Sequence, residues 1–521
     1  MRYLISVFLL LGCTQFVSST DSDYYQEFSD SKSDELKIIF SGNINGETHP
    51  CGCRKFPRGG LPQVYAYLEN LKKEKPYFYV DAGDTFFPLP QVSSYIKQSS
   101  QFTAKKIAEA LDKFSLKYLT PGDNDFAYGE NFLMELAKGK SFQFLITNAS
   151  PQMKLDHIKW GKVKFKKTSL YFVGVTDPNL MTPSSQKLFI DPEKAIASTL
   201  KQIKKDAGTT AYQVFLISHS GLEKDETYAK RFPELNWIIG AHSQSFLQKQ
   251  LKVKNTSLVQ VLNRNHFLGE ITLQTNPVTY DYQVVEMKEE LQDTLPNNPL
   301  IPWLSKYKTT LEEIQKKEQG AIVVSADHKY MPTYISCSEC HTKQVDFWQG
   351  TAHALAFQTL IKNKAAYNTN CIGCHSVGFK EAKGFLVPDK IVVSEDKDFS
   401  IEKYWSEFSS HMIPKSVREQ STQVRKKYAK KWLEFDQEKN VEHNFSNVQC
   451  LNCHNQTAEH PFDVGNKPEP MDFTQSCTEC HTTDQSPTWY HKDSDGMATT
   501  LNKKTFKAKL KAVSCPKIER Q

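Results

Sequence analysis

Hydrophobic and polar positions are arranged in three different ways along the chain. Residues 3–11 form one short apolar run behind Arg2. A bilayer span takes about 20 apolar residues, so the run has the length of a signal-peptide core instead. From residue 37 to 285, apolar β-like runs at 37–40, 77–80, 142–147, 170–175, 214–218 and 237–240 alternate with amphipathic stretches, and 102–113 and 131–138 predict helices. This alternation predicts an α/β domain, with polar residues gathered where its strands end. Further on, Trp303, Tyr307, Leu311 and Ile314 recur at steps of four, four and three after Pro302. That is one face of a single helix with proline in its first turn, expected to pack on a neighbouring domain. No later stretch is apolar for long enough to cross a membrane.

One pentapeptide pattern dominates the last third. Cys-x-x-Cys-His occurs four times, at Cys337, Cys340 and His341; Cys371, Cys374 and His375; Cys450, Cys453 and His454; and Cys477, Cys480 and His481. On one helical turn the two thiols share a face and can reach the two vinyl groups of a haem. The adjoining histidine becomes the proximal iron ligand. Zinc ribbons also use paired cysteines. Zinc does not require a histidine after every second cysteine, however, and the chain has only 15 His in 521 residues. The expectation is four covalently attached haem c groups. Haem replaces much of a core, so little regular structure is expected between 331 and 495. His328, His353, His411, His443, His460 and His491 are the candidates for four distal positions.

Two resemblances add to this reading. Trp348, Thr351, His353, Ala354 and Leu360, with the third Cys-x-x-Cys-His motif and His460 six residues after its histidine, resemble the tetrahaem cytochrome c family of ammonia oxidisers. The resemblance covers about 330–490 apart from a helical insert near 400–440. It implies electron transfer and points to His353 and His460 as distal ligands. In the N-terminal segment the ordered motifs are Ser-Gly-Asn-Ile-Asn-Gly at 41–46, Asp-Ala-Gly-Asp at 81–84 and Pro-Gly-Asp-Asn-Asp at 121–125. Ser-His-Ser-Gly at 218–221 and Gly-Ala-His-Ser-Gln at 240–244 complete the set. Together with Gly-Gly-Leu at 59–61 and closing strands at 258–273, they resemble the calcineurin-like metallophosphoesterases, specifically the 5′-nucleotidase branch. That likeness implies a β-sandwich of two sheets flanked by helices, with a two-metal site.

Carried over by this resemblance, the site is incomplete. The first aspartate and histidine are replaced by Asn43 and Asn45, the catalytic histidine by Asn124, and the last histidine by Gln244. The bridging aspartate is Asp84, and Asp123 stands where the family has a metal-binding asparagine. One metal position keeps a single carboxylate among amides, too little charge for tight binding. The other keeps Asp84, Asp123, His219 and His242, a credible set for one zinc, iron or manganese ion. A two-metal phosphoester hydrolysis needs both ions, so ordinary phosphatase activity is not expected. An inert scaffold with leftover polar residues is the alternative.

The remaining features set compartment and partners. Leu10-Leu11-Gly12-Cys13 resembles a bacterial lipoprotein box, which makes Cys13 the lipidated residue; Thr14 after it points to the outer membrane. An ordinary secretory signal containing a cysteine is the alternative. Cys51 and Cys53 in Cys-Gly-Cys, and Cys515, lie outside the haem motifs; two such close thiols form at best a strained disulfide. A net charge of +6 over 521 residues gives no reason to expect nucleic acid. The domain plan is a signal peptide at 1–12, a flexible Ser/Asp-rich tether at 13–36, the metallophosphoesterase-like domain at 37–285 and a helical connector at 286–330. A tetrahaem domain at 331–495 and a basic, solvated tail at 496–521 complete it. The expected function is electron transfer by an exported, membrane-tethered multihaem cytochrome acting with redox partner proteins on the periplasmic side. The alternatives are a haem-linked redox enzyme for a small nitrogen or sulfur compound, and a metal-dependent 5′-nucleotidase.

Overall fold

The computed structural model describes residues 25–28, 33–50, 57–275, 277–319, 329–455, 472–494 and 497–516. Cys13, Cys51, Cys53, His328 and His460 lie outside them. Among the described residues, no helix is long and apolar enough to cross a membrane.

Fourteen strands in the first half form two seven-stranded sheets. In chain order they are β1 (Tyr25–Glu27), β2 (Glu35–Ser41), β3 (Tyr77–Asp81), β4 (Leu116–Leu119), β5 (Gln143–Leu145), β6 (His157–Ile158) and β7 (Trp160–Phe165). Then come β8 (Thr168–Thr176), β9 (Tyr212–His219), β10 (Trp237–Gly240), β11 (Leu251–Val253), β12 (Thr256–Val259), β13 (Phe267–Thr275) and β14 (Val278–Glu286). One sheet runs β14-β13-β2-β3-β4-β5-β6 and the other β1-β7-β8-β9-β10-β12-β11. The helices are α1 (Leu61–Glu74), α2 (Lys97–Lys113), α3 (Gly129–Ala137), α4 (Pro183–Gln186), α5 (Pro192–Ala207) and α6 (Leu222–Arg231).

Central strands are buried on both faces, which is why they read as near-continuous apolar runs. Their alternate side chains enter different layers. Ile38, Phe40, Phe78, Val80, Phe215 and Ile217 meet in the space between the sheets. Ile39 and Tyr79 face outward under α1 and α2, and Val214 and Leu216 face outward under α5 and α6. The result is a β-sandwich with helices on both outer faces. The expected tether gives way to structure at its end. Tyr25–Glu27 pairs in parallel with Lys162–Lys164, because the edge strand β7 offers an unpaired row of backbone groups.

The stripe helix is α7 (Leu300–Gln319), which lays Tyr307 on Phe102 of α2 at 5.7 Å between ring centres. The second half contains α8 (Tyr334–Cys340), α9 (Thr342–Gln349), α10 (Gln358–Lys362), α11 (Thr369–His375), α12 (Ile401–Phe408), α13 (Thr422–Glu438), α14 (Phe473–Cys480) and α15 (Lys503–Val513). Two small sheets pair β15 (Val392–Ser394) with β16 (Val441–Asn444), and β17 (Tyr490–Lys492) with β18 (Ala498–Leu501). This half has a real core of its own. Helices α12 and α13 of the insert bring Tyr404, Trp405, Phe408, Trp432 and Phe435 together, so haem is not its only filling. Within residues 497–516 the basic tail forms β18 and α15, with its lysines exposed. After β18, α15 folds back with Phe506 buried against Trp489.

Candidate functional site

Five loops leave the carboxyl ends of β2, β3, β4, β9 and β10 on the same edge of the sandwich, the place where α/β sheets form sites. Together they bring Asp84, Asp123, His219 and His242 close enough that one ligand atom from each lies within 4.8 Å of all the others. His219 Nε2 is 3.3 Å from Asp84 Oδ1 and 3.2 Å from Asp123 Oδ1, and His242 Nδ1 is 3.1 Å from Asp123 Oδ1. His219 Nδ1 lies 2.8 Å from the Ala82 carbonyl, which fixes the tautomer and aims Nε2 at the carboxylates. Burial works against charge here. Even so, hydrogen bonds from His219 and His242 hold the Asp123 carboxyl below its ordinary range. Burial pushes His219 down, but the two carboxylates outweigh it and hold the imidazole well above its ordinary value.

The donor set and its cradle fit one divalent ion. A Cβ on Gly122 would stand 2.3 Å from Asp84 Oδ1 and 2.5 Å from His219 Cε1, so the glycine keeps the cluster open. The amides beside it do other work. Asn43 gives Nδ2 to the Leu262 carbonyl at 2.8 Å and accepts from the His242 N–H at 3.0 Å, which pins the His242 loop. Asn124 caps Asp84, its backbone N–H on Oδ1 and its Nδ2 on Oδ2, both at 3.0 Å. Both Asp84 carboxylate oxygens thus already accept from a neutral donor. Asn43, Asn45, Asp84, His242 and Gln244 all have positive φ, a conformation costly outside glycine and concentrated at functional sites.

The four Cys-x-x-Cys-His motifs line one continuous cavity of ≈ 3190 Å³. Pockets for a single small ligand are roughly 300–1,000 Å³, so this one has room for several large groups. Thiols of different motifs lie near enough to shift one another's titration, Cys337 with Cys450 and Cys374 with Cys480. Two of the motif histidines have Nδ1 engaged by a partner. His375 Nδ1 lies 2.8 Å from the Ala356 carbonyl, and His481 Nδ1 lies 2.8 Å from Ser486 Oγ, leaving Nε2 to face the cavity. The His353 ring stands 6.3 Å from that of His481. Two imidazoles bound to opposite sides of one ion at about 2 Å have ring centres roughly 6 Å apart. The pair therefore fits a single iron between them. Burial, aided by the charge of Arg418, keeps His353 below its usual pKa; burial and neighbouring cations take His481 down to about 4.

Of the other distal candidates among the described residues, His443 also lines the cavity, and its buried Nδ1 has no hydrogen-bond partner. His411 packs on Phe408 and Phe435 instead, and His491 is exposed. The spacing of histidines alone did not separate these. Gly122, Ser486 and the Ala356 carbonyl were also missed, because each acts on a residue from another segment. Cys515 lines the haem-motif cavity as well.

The two halves share this space. Asn45, Gln244 and Arg264, from loops around the Asp84 cluster, line the same cavity as the Cys-x-x-Cys-His motifs. Arg264 gives its backbone N–H to the Asn43 carbonyl at 2.8 Å and reaches Asp484, three residues past His481, at 3.9 Å.

Comparison with known proteins agrees with this division. Residues 336–396 match the family model for cytochrome c554 and c-prime. The chain is similar over part of its length to 5′-nucleotidases. It is 26% identical over 204 residues to Protein 5NUC of Lutzomyia longipalpis, covering 36% of this chain and 33% of that one. It is 23% identical over 203 residues to the 5′-nucleotidase of Mus musculus, with the same coverages of 36% and 33%. The chain thus spans about a third of the length of these curated relatives. Among solved structures, a 5′-nucleotidase precursor from Thermus thermophilus aligns over 64% of this chain and 68% of its own, with a TM-score of 0.45 and 14% identity.

Proposed function

We propose that the protein is an exported multihaem c-type cytochrome that transfers electrons, and that its metallophosphoesterase-like domain holds one metal ion and lacks ordinary phosphatase activity. The convergence of all four Cys-x-x-Cys-His motifs on one cavity carries this reading. When bound, haem supplies one-electron exchange between ferric and ferrous iron. The cysteine pairs would fix each group, His341, His375, His454 and His481 would supply iron ligands, and His353, near His481, would supply a further one. The cytochrome c family match supports placement outside the cytoplasm, and a lipidated Cys13 would tether the protein to the periplasmic face of a membrane, with the outer membrane favoured.

The capping of Asp84 by Asn124 supports a single ion at Asp84, Asp123, His219 and His242, with zinc, iron or manganese as the chemically suited metals. The test is the composition of the purified protein. Four haems and one non-haem divalent ion per chain are expected, with the ion lost and the haems kept in Asp123→Asn. Fewer than four haems, or two non-haem ions, would overturn the reading.

One observation favours a second reading, a haem-linked redox enzyme for a small nitrogen or sulfur compound. The amide and arginine side of the metal cluster opens on the cavity that the haem motifs line. Sulfite, nitrite or hydroxylamine that changes the haem spectrum of wild type but not of Asp84→Asn would select this reading over simple electron transfer.

A further inference from the structure

The C-terminal helix α15 carries five lysines and no acidic residue. Lys503, Lys504, Lys507, Lys509 and Lys511 are all exposed, and none is in an ion pair among the described residues. At 3.6 residues per turn, Lys503, Lys507 and Lys511 form one stripe with Lys504 beside it, while Phe506, the buried residue of the helix, and Val513 lie on another face, with Leu510 at the border between the two. Stability does not account for this pattern. The positive end of a helix dipole favours acids in the first turn, yet that turn holds Lys503 and Lys504 and no acid.

The helix is firmly held and forms a wall of the haem-motif cavity. Asn502 caps it by accepting from the Thr505 N–H at 3.0 Å, and the Asn502 N–H reaches the Trp489 carbonyl at 2.8 Å. Phe506 packs on Trp489, which stacks on His481 with ring centres 4.2 Å apart. Lys509, Leu510, Val513 and Cys515 line the cavity, and just beyond them the Pro516 carbonyl accepts from Gln344 Nε2 of α9 at 3.1 Å. The helix therefore runs from the fourth haem motif toward the first, with Lys509 on the cavity and Lys503, Lys504, Lys507 and Lys511 turned away from it.

We propose that α15 is the docking surface for an acidic electron-transfer protein, which lies on the lysine stripe over the cavity wall. The proposal rests on the electron-transfer reading above and names the partner's chemistry and its place. Charge complementarity selects an acidic partner and steers its approach. A helix that lies on a membrane turns its apolar face to the lipid. Here Phe506 and Val513 face the protein, so a protein surface is the fitting occupant.

The test uses the haem-loaded full chain, with an acidic two-iron ferredoxin as the probe. Lys503→Glu, Lys507→Glu and Lys511→Glu together are compared with Lys201→Glu, Lys204→Glu and Lys205→Glu on α5, which change the net charge equally. Calorimetry with both proteins oxidised reads affinity without turnover, and stopped-flow reads the electron-transfer rate. The α15 variant is expected to lose tenfold or more in both at low salt, the α5 variant less than twofold, with haem spectra and electrode potentials unchanged. Equal losses in both variants, or none in either, would overturn the proposal. So would loss of binding to phosphatidylglycerol vesicles with ferredoxin affinity intact, which would assign the stripe to an anionic lipid surface. Haems that cannot be reduced even at an electrode would instead overturn the electron-transfer reading itself.

Discussion

Asp436 shows how one side chain can tie a haem motif to the rest of its domain. It is buried in α13 and accepts hydrogen bonds from Tyr334, Tyr404 and Asn444. Tyr334 opens α8, the helix of the first haem motif, and its N–H reaches Gln449 Oε1, next to the first cysteine of the third motif, at 2.8 Å. Burial raises the Asp436 carboxyl to about 7, against hydrogen bonds from the two tyrosines that pull it down. A carboxyl raised in the folded state gives stability that is complete below its unfolded value and is lost as pH climbs through the folded value. Asp436 therefore favours folding below about pH 4 and loses that contribution by about pH 7, a change of at most about 4 kcal/mol. Melts of wild type and Asp436→Asn from pH 4 to 8 should show wild type falling relative to the variant as pH rises. A difference that stays constant with pH would remove Asp436 as the cause.

At the scale of elements, the insert helices α12 and α13 organise the second half. Trp432 is 2% exposed, lies 4.2 Å from Phe408 between ring centres, and gives its indole N–H to Tyr404 at 2.9 Å. Trp432→Ala should cost about 3–5 kcal/mol, and Trp432→Phe distinctly less. Urea unfolding followed at the Soret band measures both, and a loss below about 1 kcal/mol for alanine would show that haem, not this core, holds the domain. The insert was recognisable as helical, but its role was not, since its partners Tyr334 and Asn444 lie in other segments. Strands β2, β3, β9 and β10 could be read directly, because burial on both faces makes them continuous apolar runs. The edge strand β14 was hidden by its exposed Thr279, Asp281 and Gln283, and β4 by its length of four residues. Asp84, Asp123, His219 and His242 were readable for a related reason: each closes a strand or the loop just after one. The docking of α15 was not, because only tertiary contact turns Phe506 inward and makes the lysines a surface.

At the scale of the whole molecule, a hydrolase-like sandwich and a haem-binding domain enclose one space. Lys364 Nζ of the second half reaches Thr309 Oγ1 of α7 at 2.8 Å, Lys316 of α7 reaches Glu402 at 3.4 Å, and Arg264 faces Asp484 at 3.9 Å. The last of these contacts sets the order of the sites. It joins the loop bonded to Asn43 with the segment that follows His481, and so links the fourth motif to the loops around Asp84. The thiol contacts then lead from the fourth motif to the second, through Cys480 and Cys374, while the first and third motifs form a separate pair through Cys337 and Cys450. This arrangement predicts a magnetic neighbour effect. Manganese(II) loaded at Asp84, Asp123, His219 and His242 should speed the electron-spin relaxation of the haem at the fourth motif more than that of any other haem. Microwave power-saturation measurements on the oxidised protein read this directly. The effect should vanish in Asp84→Asn, and the affected signal should be the one altered by His353→Ala, as the proposed pairing of His353 with His481 predicts. Four haems relaxing equally would mean that the shared cavity does not bring the metal cluster closer to one haem than to the rest.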